Sequence, residues 1–342
     1  MKNKNTIITA AVVILLSGLA YLQFRTWHNF NWTSFWNISK DTDPVSIASA
    51  IGFIFVTFFT RAMRWSIFQS KLKPSSTNEM INPTIVGFTA LSLLGRAGEM
   101  VRPYLIARKT NTPFSSQMAI WTVERIFDMG AISVIVSLNL AFAPSLRTLP
   151  YFDKFQKGGF VFLGMAVIFA LVVFVVWKNG NTVAKISELC TGWISKDLSM
   201  SIGNKVRSFS EALHTIKDAT AFFKIVALSF ITWLLIALCF LEVMRAYPDS
   251  VTRHFPFSYV CIVLFFVIGG SVVQLPAVGG GSQLAVIWLF KNIFGFSPEL
   301  AVSCGLMIWL VSNMSLVPVG LLLARLEHVS LRKLSVESAP QE

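Results

Sequence analysis

The sequence predicts an all-α polytopic membrane protein. Its expected parts are about six spanning helices and two broken, re-entrant helical hairpins, arranged as an inverted repeat. Three observations lead there. The 342 residues are 54% hydrophobic and 13% charged, with a mean hydropathy of +0.64, whereas a soluble domain carries about 25% charged residues. Several apolar stretches approach or reach the roughly 20 residues that a bilayer crossing needs. Two further apolar pieces are too short or too interrupted to cross, as expected of re-entrant segments.

In chain order, Lys2 and Lys4 precede an apolar run from Ile7 to Phe24. Gly18 and Ala20 would suit a signal peptidase, but the run is long for a signal peptide's core, so an uncleaved anchor helix is expected. Thr26–Trp36 holds three Trp among polar residues and is placed at the outer interface. Pro44–Phe59 is the second span, closed by Arg61, Arg64 and Trp65. Pro83–Leu94 stops at Gly95-Arg96, too early to cross, and opens a re-entrant piece over 81–109. Met118–Ala143 and Gly159–Trp177 span. Asn179–Ala221 mixes Lys and Glu with apolar residues at helical spacing, which predicts a cytoplasmic amphipathic hairpin on the membrane surface. Phe223–Val243 spans again. Phe257–Leu275 runs into Pro276 and Gly279-Gly280-Gly281 before a short piece, Ser282–Phe294, giving a second re-entrant element over 257–294. Pro298–Leu323 is the last span. The whole forms one integral membrane domain, 1–342: a first half 1–178, the amphipathic segment 179–222, a second half 223–335, and a disordered tail 336–342.

The net charge of +12 would suggest nucleic acid in a soluble chain. Here no long basic stretch interleaved with aromatics occurs, and no nucleic-acid partner is expected. With six spans, twenty Lys and Arg fall on one side and seven on the other. The positive-inside rule then makes both termini cytoplasmic. Each re-entrant piece precedes a long span and the two enter from opposite faces, the pattern of an inverted repeat with its binding site near the repeat interface. Cys190, Cys239, Cys261 and Cys304 are isolated, and His28, His214, His254 and His328 are scattered. Free thiols, no metal site and no cofactor are expected.

Leu94–Tyr104 is the stretch richest in chemistry. Its glycines allow a sharp turn, and Arg96, Glu99 and Arg102 would share one face of a continuous helix. Guanidinium forks there suit a phosphate or carboxylate; the competing view is a loop whose charges sit in water. Glu124, Arg125 and Asp128 lie inside an apolar span. Each charge near the bilayer centre costs at least about 2.5 kcal/mol, so they should face the bundle and pair with Arg96, Arg102, Arg61 or Arg64. A structural ion-pair network and a substrate or proton pathway both fit. For Arg61 and Arg64, snorkelling to the cytoplasmic interface competes with membership of the anion site. In the second half, Gln274, Gly279, Gly280, Gly281, Ser282 and Gln283 surround a break whose amides and following helix N-terminus would favour an anion. Ser312, Asn313 and Ser315 are read as structural hydrogen-bonders across helices.

These residues resemble the transmembrane, flippase-like family of lysylphosphatidylglycerol synthases. Gly95, Arg96, Gly98, Glu99, Arg102 and Pro103 match its G-R-x-G-E-x-x-R-P pattern, and Glu124, Arg125 and Asp128 its E-R-x-x-D helix. Arg61-x-x-Arg64-Trp65 and the break at Pro276–Gly281 also fit. This chain reads Gly281-Ser282-Gln283 where the family continues to a Gly and an acidic residue. It ends soon after its last span, so a C-terminal aminoacyl-transferase domain is not expected. The resemblance implies lipid handling rather than lysyl transfer: a flippase-like translocase for an anionic phospholipid or a polyprenyl-phosphate-linked glycan carrier, in a bacterial inner membrane. Arg96 and Arg102, joined by Arg61 or Arg64, would engage the head group. Glu99, Glu124 and Asp128 would hold those arginines and carry any coupling proton. The alternatives are a membrane-embedded lipid-modifying enzyme, for which no catalytic motif is found, and a non-catalytic partner of a lipid or glycan synthase. Homo-oligomerisation is left open.

Overall fold

The computed structural model describes residues 30–326 apart from 151, 194, 214–215, 217, 272–273 and 276–278. The expected Ile7–Phe24 helix and the tail lie outside the described residues. Twelve helices of eight residues or more order the rest: α1 Trp32–Lys40, α2 Pro44–Gln69, α3 Thr77–Leu94, α4 Val101–Thr110, α5 Phe114–Phe142, α6 Phe152–Thr191, α7 Lys196–Leu213, α8 Ala219–Arg245, α9 Phe257–Gly270, α10 Gly281–Asn292, α11 Pro298–Trp309 and α12 Val317–Leu326. Among the described residues five helical segments are long and apolar enough to cross a membrane: α2, α5, α6, α8 and the run from α11 to α12. They coincide with five of the six expected spans, and the chain is an all-α polytopic membrane protein.

Three boundaries differ from expectation. The helix that was to end at Phe59 continues to Gln69, because Arg61 and Arg64 turn inward and find partners instead of ending it. The short piece before Gly95 is an 18-residue helix starting at Thr77, opened by a capping box between Ser76 and Glu79. Pro83 lies inside it. Gly159–Trp177 is part of the 40-residue α6, which bends at the non-helical Asn179. Beyond the bend α6 packs along α7, tied by Arg207 to Glu188 at 2.8 Å; the amphipathic segment is thus a helical hairpin.

Both broken elements double back. After α3 the chain makes a 3₁₀ turn, Gly95–Met100, with Gly95 at φ 63°, and returns as α4 against α3. Lys73 Nζ donates to the Thr110 carbonyl at 2.9 Å, so the hairpin starts and finishes at one end of the bundle. In the second half, α9 leads to a two-residue antiparallel ladder, Gln274 opposite Gly280 and Leu275 opposite Gly279, and α10 returns along α9. Aromatic rings latch its ends: Tyr259 stacks on Phe294 at 4.9 Å and 6°. The ladder strand Gln274–Leu275 rests against the 3₁₀ turn, so the two hairpin tips meet.

Packing is reciprocal between the halves. Span α2, hairpin α3–α4 and span α5 correspond to span α8, hairpin α9–α10 and the α11–α12 run. Each final span packs on the other half's hairpin: α12 on α3, α5 on α9. The corresponding helices α2 and α8 run in opposite directions. The Asp43 amide donates to the Ala246 carbonyl at 2.7 Å, the Thr60 and Thr232 hydroxyls bond at 2.8 Å, and Arg64 donates to Ser229 at 2.6 Å. Partner numbers fall along α8 as they rise along α2, so the two helices are antiparallel, as an inverted repeat requires. The far end of α5 meets the start of α9, where Asn139 donates to the Ser258 carbonyl at 2.7 Å. The second hairpin therefore opens at the end of the bundle opposite the first.

Candidate functional site

Helix α2 places Arg61 and Arg64 on one face by their three-residue spacing, and α5 does the same for Glu124 and Asp128 at four residues. The two faces meet. Arg64, fully buried, donates from Nη2 to Glu124 Oε1 at 2.8 Å and from Nη1 to Asp128 Oδ1 at 2.7 Å and Ser229 Oγ at 2.6 Å. Arg61 reaches Asp128 Oδ2 at 3.5 Å. Arg102, from α4, clamps Glu124 with both Nη atoms, and its guanidinium lies 4.2 Å from the Trp65 ring centroid and 5.1 Å from that of Phe88. Arg125 completes the group at 3.2 Å from Glu124 Oε2 and 3.2 Å from Asp128 Oδ2. Its side chain is 38% exposed, the most open of the four.

Four guanidiniums thus share two carboxylates. Donors outnumber acceptors: the Nε atoms of Arg64 and Arg125 are buried and, among the described residues, have no hydrogen-bond partner. A guanidinium offers five donors in a fixed fork, so an acceptor shortage of this kind favours an added oxyanion. Beside Arg102 and Arg125 lies a hollow of about 50 Å³, lined also by Gly87, Phe88, Leu91, Glu99 and Trp121. One water takes roughly 10–15 Å³ on this measure, so the space suits a phosphate-sized group. A larger hollow of about 140 Å³, lined by residues including Phe127, Val134 and Phe169, is apolar.

Three expectations change. Arg61 and Arg64 do not snorkel to an interface; both are buried and paired, since carboxylates on α5 outcompete a distant water layer. Arg96 and Arg102 do not share a helix face. The 3₁₀ turn and positive-φ Gly95 break the register, leaving Arg96 exposed in the turn while Arg102 is buried on α4. Glu99 is half-buried and lines the hollow, and no ion pair joins it to an arginine among the described residues. Ser312, Asn313 and Ser315 bond to their own helix instead of across helices. Ser312 and Ser315 donate to the Ile308 and Val311 carbonyls, and Asn313 to Trp309 O and Ser312 Oγ.

At the second break, Gln274, Gly279 and Gly280 form the ladder and Gly281 starts α10. The Gly280 amide donates to Gln283 Oε1 at 3.4 Å, so this amide is not left open for an anion as the sequence suggested. Ser282 and Gln283 line a hollow of about 20 Å³ with Ser312 and Asn313. Sequence reading missed Ser229, Trp65 and Phe88 as members of the charged site. A lone Ser in an apolar span and Phe88 in an apolar run carry no signal before the helices are packed, whereas the motif Arg61-x-x-Arg64-Trp65 had already set Trp65 beside two of the arginines.

A bundle of membrane-length helices around a buried arginine–carboxylate cluster defines a polytopic membrane protein with an internal polar site. The family model for the lysylphosphatidylglycerol synthase TM region matches residues 7–320, and the chain belongs to that family. A search of curated proteins finds no match.

Proposed function

We propose that the protein translocates an anionic lipid, either a phospholipid or a polyprenyl-phosphate-linked glycan carrier, between leaflets of a bacterial inner membrane, with both termini cytoplasmic. The observation that carries this reading is the acceptor deficit: four buried or half-buried guanidiniums against the two carboxylates that pair with them, next to a phosphate-sized hollow on which Glu99 is the one further acidic group. Unbalanced charge at membrane depth is costly, and a lipid phosphate would offset it. Arg102 and Arg125 are the contacting groups because they line the hollow. Arg61 and Arg64, held by Asp128 and Glu124, position the carboxylates. The two hairpins re-enter the bilayer from opposite faces and meet at their tips, so that movement of one repeat against the other would expose the site alternately.

The test is transport in liposomes. Reconstituted protein should speed the movement of fluorescently labelled phosphatidylglycerol between leaflets and leave labelled phosphatidylcholine largely behind. Arg102→Gln combined with Arg125→Gln should abolish the difference. Unchanged movement over a broad panel of anionic and polyprenyl lipids would refute the proposal.

A further inference from the structure

The repeat places a second polar hollow where the charged one has its counterpart. The charged hollow is lined by both arms of the first hairpin, its turn and span α5; the second is lined by both arms of the other hairpin (Val267, then Ser282, Gln283 and Val286), by α11 and by the following turn. That turn, Leu310–Met314, is a π-helix, a local widening often found at functional sites. Pro318, four residues after Met314, cannot donate to the Met314 carbonyl and helps end the regular winding there. The wider winding of the turn sets the half-buried Ser312 and Asn313 on the hollow, opposite Ser282 and Gln283.

The chemistry of the two hollows differs. No charged side chain lines the second. Its amides have spare capacity: Gln283 uses Oε1 to accept from Gly280, and Asn313 uses Nδ2 to donate to Trp309 and Ser312. Among the described residues Gln283 Nε2 and Asn313 Oδ1 have no partner. One spare donor and one spare acceptor on side chains that line a hollow of about 20 Å³ match a single hydroxyl, which both gives and receives a hydrogen bond. The space admits a hydroxymethyl group, given roughly 10–15 Å³ per water. Helix α3, which lines the charged hollow, also packs on the π-turn.

We propose that the hollow bounded by Ser282, Gln283, Ser312 and Asn313 is a subsite for an uncharged, hydroxyl-bearing part of the transported head group. Glycerol and sugar hydroxyls share this chemistry. The inference rests on the lipid-binding reading, and the first of its two probe pairs carries no phosphate, so the two readings fail separately. Purified full-length protein would be loaded from nanodiscs holding equal monoglucosyldiacylglycerol and diacylglycerol, and retained lipid read by native mass spectrometry. A second loading uses phosphatidylglycerol and phosphatidic acid.

Wild type should retain the hydroxyl-bearing member of at least one pair by about tenfold, the effect of one or two well-made hydrogen bonds. Preference in the first pair identifies a sugar, and preference in the second a glycerol. Asn313→Leu should bring that ratio near one. Gln283→Leu removes the other group from a different helix and should do the same, so a folding defect in one variant does not decide the matter. No discrimination by wild type in either pair, or discrimination surviving both variants, overturns the subsite. Loss of phosphatidic acid retention in Arg102→Gln speaks only to the phosphate reading.

Discussion

At the scale of single residues, the decisive group is Glu124. It is fully buried and accepts from Arg64, Arg102 and Arg125 at once. Glu124→Gln leaves Arg61, Arg64 and Arg125 to Asp128 and takes from Arg102 its ion-pair partner, and removing one partner of a buried pair costs about 3–5 kcal/mol. The variant should melt well below wild type in detergent by thermal unfolding; an unchanged midpoint would mean the cluster does not hold the bundle. That Glu124 and Asp128 share one helix face and seek arginines was legible in the sequence, because four-residue spacing inside an apolar run leaves few choices. The membership of Arg102 without Arg96 was not. It depends on Gly95 taking φ 63° and breaking the helix between them, which composition does not announce. For Arg61 and Arg64 the sequence left burial and snorkelling in competition, since the choice depends on carboxylates of α5 that only packing brings beside them.

At the scale of elements, hairpin closure depends on a close approach. A Cβ at Gly87 would strike the Cβ of Arg102. Gly87→Ala should therefore push α3 and α4 apart, costing about 1–3 kcal/mol as overpacking does, and should displace Arg102 from Glu124. Thermal unfolding together with loss of anionic-lipid retention checks it; a stable variant with intact retention would contradict the packing. The start of α2 offers a milder test. Asp43 caps the helix, accepting from the Ser46 hydroxyl at 2.7 Å and from the Ser46 and Val45 amides. These bonds hold its carboxyl below the ordinary range. A depressed pKa contributes stability that is present above the unfolded value and is lost as pH falls through the folded one. Asp43→Ala should lower the thermal midpoint slightly near neutral pH through loss of the cap, with the gap from wild type closing in acid. Both hairpins were legible as interruptions in apolar runs. Their lengths were not, because Thr77–Ile81 looks polar yet is helical under its capping box.

At the scale of the whole molecule, the inverted relation between the halves is carried by packing rather than by sequence likeness. Antiparallel α2 and α8 bring Asp43 to Ala246 at one end and Arg64 to Ser229 deep in the bundle. The same relation sets the hairpin mouths at opposite ends. Single cysteines at the exposed positions Lys71 and Arg108 should label from one side of sealed vesicles with an impermeant maleimide, and cysteines at Thr148 and Val251 from the other. Labelling of all four from the same side would break the topology. The interrupted apolar runs and the span count anticipated hairpin mouths at opposite ends, but the meeting of the hairpin tips needed three-dimensional contacts.

The claim beneath all of this is that surplus guanidinium charge inside the bundle waits for a lipid phosphate. The most direct measurement is native mass spectrometry of protein released from nanodiscs containing equal phosphatidic acid and phosphatidylcholine. Wild type should keep phosphatidic acid preferentially, and Arg102→Gln with Arg125→Gln should keep neither above the other. Equal retention of both lipids by wild type, or an undiminished preference in the double variant, would contradict the account.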